Sequence, residues 1–180
     1  MISSKTARLI ILTALTMAGF NASATGLTKV FFSGYFTAYV PTPSLDEATF
    51  FHSDGPGIKF KDGRYFAGSL ITRQRENLDP AFSLRDYPLY LFGLKGFEHL
   101  DAANAARFQR SHEELKESLA DPVFDSRQIP GATVYTACST RCEAIVVQDA
   151  QDEHLLHITS RGFNPGDITT LLEDGSDAAE

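Results

Sequence analysis

The sequence contains no tryptophan, only two cysteines, and no apolar run long enough to cross a bilayer. A membrane-spanning helix needs about 20 predominantly apolar residues. Two cysteines are too few for a disulfide-dense scaffold, and their C-x3-C spacing is not the C-x-x-C of thiol oxidoreductases. No G-x-S-x-G, His-Glu-x-x-His or G-K-[ST] segment occurs. The nucleophile elbow, the helical zinc-protease site and the phosphate-cradling loop are therefore not legible. Gly55-Pro56-Gly57 lacks the lysine and hydroxyl that a phosphate loop requires. No self-similar period is visible, which argues against a repeat architecture. Positive charge is also scarce: 16 Lys and Arg oppose 23 Asp and Glu. A net charge of −7 disfavours non-specific binding to nucleic acid and to anionic membranes.

What is present begins with an address. Lys5 and Arg8 precede an apolar stretch, Leu9–Phe20, that ends at Ala22-Ser23-Ala24. A basic head, a short apolar core and an A-x-A site together read as a secretory signal peptide cleaved after Ala24. Cleavage would remove two cations and no acid, taking the charge from −7 to −9. The expected organisation is a signal at 1–24, one globular α+β domain at 25–173 and an acidic tail at 174–180. The address implies an oxidising compartment, the periplasm or the outside of the cell, and no stable membrane insertion after cleavage. Fourteen phenylalanines indicate a folded core rather than a disordered chain.

Periodicity supplies the elements. Val30–Val40 alternates as one strand, with Val30, Phe32, Gly34, Phe36, Ala38 and Val40 on one face and Phe31, Ser33, Tyr35, Thr37 and Tyr39 on the other. Pro41 and Pro43 end it. Residues 44–57 read as a loop with at most one helical turn. Asp62-Gly63 predicts a hairpin between 58–60 and 64–73. Residues 84–94 favour a short buried helix with Pro88 in its first turn, although the Tyr90-Leu91-Phe92 run also suits a strand. Residues 101–120 are the clearest helix, with Asp101 as N-cap, Asp121-Pro122 as the stop, and Ala105, Phe108, His112, Leu115 and Leu119 as an inward stripe. Residues 133–138, 142–148 and 154–160 read as a three-stranded meander. Asn164-Pro165 then opens a last helix. Hairpins segregated from helices predict an α+β fold, with a mainly antiparallel sheet and two to three helices on one face.

Cys138 and Cys142 flank a three-residue turn, so a closed hairpin sets them opposite one another, and an exported chain favours their disulfide. The pattern Cys138-x3-Cys142-x11-His154-x2-His157 approaches a zinc-finger spacing. Histidines three apart on a strand point to opposite faces, however, and oxidised cysteines do not bind zinc. No metal and no cofactor is expected. His112 lies on the helix stripe, where a core histidine bonded to backbone is the plainer reading. Lys59, Lys61, Arg64 and Arg73 concentrate cations at the Asp62-Gly63 hairpin, where a solvated rim guarding the sheet edge is the plainer reading.

The expected function is a non-enzymatic, exported protein-binding module of the inhibitor, immunity or envelope-accessory kind. Its candidate surface is Phe31, Tyr35 and Tyr39. The competing assignment for that face is burial under a second layer, such as the 101–120 helix. Two alternative functions remain: a small exported hydrolase using His112 or His52 with a carboxylate, and a carrier of a small apolar ligand lined by the Phe-rich strand and residues 84–94.

Overall fold

The computed structural model describes residues 26–33, 36–52 and 55–173. The expected signal and acidic tail fall outside the described residues, as does Tyr35. The architecture is α+β: a seven-stranded antiparallel sheet, a separate two-stranded hairpin and three α-helices.

The first expectation to change is the N-terminal strand. It is two strands, β1 (Leu27–Phe31) and β2 (Thr37–Pro41), folded back on one another. Val30 pairs with Ala38 and Phe31 with Thr37. The face assignment survives the fold-back for a simple reason. Paired positions differ by an even number of residues, so each partner has the same parity and lies on the same face. Phe32, Phe36, Ala38 and Val40 are accordingly all buried.

The region expected to be a loop at 44–57 contains a strand, β3 (Thr49–His52), paired with β4 (Pro56–Lys59). β4 continues through the expected Asp62-Gly63 turn into β5 (Tyr65–Ile71). Gly63 takes φ +87°, where glycine has no steric penalty, and its N–H donates to the Phe60 carbonyl at 3.0 Å.

Residues 84–94 form the short helix, α1 (Tyr87–Leu91), with Pro88 in its first turn. The long helix is α2 (Ala102–Leu119), capped by the Asp101 carboxylate, which accepts from the N–H groups of Ala103 and Asn104. Its inward residues Phe108 and Leu119 are buried. Left-handed backbone at Ala120 and Asp121 ends it.

The meander has four strands rather than three. β6 (Val123–Ile129) precedes β7 (Ala132–Cys138), β8 (Arg141–Gln148) and β9 (Leu155–Arg161). Pro130-Gly131 turns β6 into β7 and is the local signal that marks the extra strand. The last helix, α3 (Pro165–Leu172), carries a capping box between Asn164 and Asp167.

The sheet order is β3-β4-β5-β9-β8-β7-β6. The helices divide between its two faces, where one shared face was expected. One face, with Ile58, Phe66, Val134, Ala144, Val146, Leu156 and Ile158, clusters with the hairpin and with Ile168 of α3. The other, with Ile71, Ala137, Ile145, Val147 and Leu155, clusters with α1 and α2. Strand β8 supplies Cys142, Ala144 and Val146 to one cluster and Ile145 and Val147 to the other, so much of both its faces is apolar. Such a strand needs cover on both sides. The disulfide forms as expected, with Cys138 and Cys142 directly paired at a Cα separation of 4.1 Å.

Candidate functional site

The β1–β2 hairpin lies across one face of the large sheet with Phe32 as its foot. Phe32 meets the Phe66 ring edge-on at 5.5 Å. Gly68 of β5 makes the seat, since a Cβ there would stand 2.5 Å from Phe32. This anchoring turns the odd-numbered side chains of the hairpin outward. Three cross-strand pairs make up that outer face: Leu27 with Pro41, Lys29 with Tyr39, and Phe31 with Thr37. Phe31 is 64% exposed and Leu27 47%. The Lys29 ammonium stands 5.6 Å from the centres of both the Phe31 and Tyr39 rings. It is the one charged group among the described residues of this face. The α2 helix packs with the opposite face of the large sheet, so it is not the layer that covers these aromatics.

A second aromatic surface was not legible in the sequence. β3 is an edge strand and all four of its residues are exposed, including Phe50 and Phe51. Phe51 lies over Gly57 on the neighbouring strand, where a Cβ would stand 2.2 Å from the ring. His52 ends this strand, exposed, opposite Pro56.

The histidines separate clearly. His112 Nδ1 lies 2.9 Å from the Leu91 carbonyl at the end of α1, and its ring packs on Phe124 and beneath Gly93. It ties α1 to α2, as the plainer reading expects. His154 precedes β9 and His157 lies within it. With both cysteines in the disulfide, the four zinc-spaced residues do not form a ligand set. No group of three or more metal-binding side chains occurs among the described residues.

His157 instead belongs to a polar cluster. Its Nε2 donates to Glu143 Oε2 at 2.8 Å, and the Thr159 hydroxyl donates to the same oxygen at 2.8 Å. Glu143 is buried, so these two donors stand in for the water it has lost. Strand alternation sets Glu143 on the face opposite Cys142 and Ala144, a polar position inside a run that reads as apolar. The carboxylate orients the imidazole, but no hydroxyl bonds the other ring nitrogen among the described residues.

The cations at the β4–β5 hairpin are mostly neutralised. Lys61 pairs with Glu47 at 2.6 Å, Arg64 with Asp62 at 2.7 Å and Arg73 with Asp152 at 2.8 Å. The Arg64 backbone and side chain hold the Asp62 carboxyl below its usual range. Near α1, burial first and the Glu76 carboxylate second raise the Tyr87 hydroxyl, which remains a neutral donor to Glu76 at 3.1 Å.

No helix among the described residues is long and apolar enough to cross a membrane. Compared with family models, curated proteins and solved structures, the chain matches none of them.

Proposed function

We propose that this chain is an exported module that acts by binding another protein. The observation that carries the proposal is the outer face of the β1–β2 hairpin. Four large side chains, Leu27, Phe31, Tyr39 and Pro41, surround one cation, Lys29. Tyrosine and phenylalanine offer wide, rigid contact area, and aromatic residues are enriched at interface cores. The lone ammonium sets the partner's chemistry: an apolar surface with a carboxylate opposite Lys29. The basic head, apolar core and A-x-A site at 1–24 support export, and a disulfide between the two cysteines is compatible with it. An inhibitor, an immunity-type protein or an envelope accessory factor would all use such a face.

The test places a photo-crosslinking residue at position 31 in cells that make the protein, identifies the crosslinked partner and measures binding of that partner in purified form. The expected result is one acidic-surfaced partner, bound about tenfold or more weakly by the Phe31→Ser/Tyr39→Ser variant and repelled less at high salt by Lys29→Glu. A partner bound equally well by the double variant, or no crosslinked protein at all, would refute the reading.

A further inference from the structure

On the α2 side of the seven-stranded sheet, register aligns side chains from successive strands into rows. One row runs Thr49, Lys59, Tyr65, Arg161, Arg141, each the direct cross-strand partner of the next. All five therefore share a face. The row holds three cations, two hydroxyl groups and no acid, in a chain whose acids outnumber its bases.

None of these cations has an ion-pair partner among the described residues, whereas the neighbouring Lys61, Arg64 and Arg73 all do. Arg141 and Arg161 stand directly opposite one another. Like charges in that position repel, and sheets avoid the arrangement unless something compensates it. Glu143 lies two residues along on the same face, but it bonds His157 and Thr159 and makes no ion pair with Arg141. Arg141 Nε is also buried without a hydrogen-bond partner. A buried donor of a charged group without an acceptor calls for an explanation.

We propose that Arg141 and Arg161, with Tyr65 beside them, form a binding site for a phosphate monoester group. Two guanidinium groups balance the two charges of a phosphate dianion, and the phenol hydroxyl of Tyr65 adds a donor for a further oxygen. A carboxylate carries one charge and would leave one arginine uncompensated. Lys59 stands two strands from Arg161, about 10 Å at ordinary strand spacing, where it would meet a second negative group on a larger ligand. The site lies on the opposite face of the sheet from the hairpin, so it is independent of the protein-binding face.

The probes are inorganic phosphate, phenyl phosphate, acetate and chloride at matched ionic strength, followed by the arginine Nε–H signals in NMR. Vesicles of neutral lipid with and without phosphatidic acid form a second arm. Both phosphates are expected to shift the Arg141 and Arg161 signals at concentrations about tenfold below acetate. Arg141→Gln and Arg161→Gln should each lose the response. Both variants should keep the backbone spectrum and melt no lower than the parent, because each removes one of two opposed cations. Vesicle binding that depends on phosphatidic acid and on both arginines supports the site with a lipid source, and response to phenyl phosphate alone supports it with a soluble source. Equal shifts with chloride, no arginine shift with either phosphate, or undiminished binding by the Arg141→Gln/Arg161→Gln protein would overturn the proposal.

Discussion

The two faces of the seven-stranded sheet carry adjacent residues of the same strands and have opposite characters. On one face a row crosses all seven strands as Phe50, Ile58, Phe66, Ser160, Cys142, Cys138 and Val123. Its middle is buried under the hairpin and α3, and only its two ends, Phe50 and Val123, are exposed. One residue further along each strand, the other face reads Phe51, Gly57, Ala67, Thr159, Glu143, Ala137 and Phe124. Here α1 and α2 cluster with the β7 and β6 end and with Ile71, Ile145, Val147 and Leu155. The β4, β5 and β9 stretch carries small or polar side chains instead. A sheet face that no apolar layer covers must keep water or bind something else. The covered face explains stability. The half-open face is where unassigned chemistry collects.

The largest expected effect lies on the covered face. Phe66→Ala removes a fully buried ring that meets Phe32, Phe60 and Phe163, and should cost about 3–5 kcal/mol in denaturant unfolding. Ala67→Ser, one residue away on the other face, should change stability by less than about 0.5 kcal/mol. Equal costs would erase the contrast between the faces. A smaller effect is expected at the polar cluster. Glu143→Ala leaves the His157 and Thr159 donors facing a buried gap and should cost about 1–3 kcal/mol. The Glu143→Leu/His157→Leu pair should recover part of that loss, since it removes one of the two unmet donors and leaves only the Thr159 hydroxyl, which is half-exposed and can turn to water. If the pair is as unstable as Glu143→Ala, the unmet His157 donor is not what destabilises the single variant.

The smallest effect concerns the helix that closes the covered half of the second face. Hydrogen bonds from Asn104, first its backbone and then its side chain, hold the Asp101 carboxyl below its usual range. A lowered folded-state pKa means that the stabilisation is complete above the ordinary carboxylate range and fades as pH falls through the folded value. Asp101→Asn keeps a capping side chain and should flatten that part of the acid unfolding curve, with little change near neutrality.

Legibility in the sequence followed the range of the interactions concerned. α2, the Asp62-Gly63 turn, the Asn164 cap and the Cys138–Cys142 hairpin each rest on contacts within a few residues, and all are present. β3 was missed because Thr49-Phe50-Phe51-His52 is short and has no buried face of its own; only pairing with β4 makes it a strand. β6 was missed for a similar reason, since Asp125, Arg127 and Gln128 interrupt its apolar pattern on an edge. Alternation alone placed Phe31 and Tyr39 on one face, and the structure has them on the outer face of the hairpin. The Glu143–His157–Thr159 cluster was not legible, because it depends on the β8–β9 register that sets Glu143 opposite Thr159, and Glu143 sits inside a run that reads as apolar.

By itself, the sequence determined which residues alternate, where the chain turns and which caps hold the helices, because those choices depend on local sterics and hydrogen bonding. It also assigned the inward set Phe32, Phe36, Ala38 and Val40 and the outward Phe31 among the described residues, since a fold-back preserves parity. Only the tertiary structure decided that this segment is a hairpin seated on Gly68, that the helices divide between two faces, and that Lys59, Arg161 and Arg141 share one row. Those outcomes depend on register between strands far apart in the chain, and register is set by which apolar faces can be buried together.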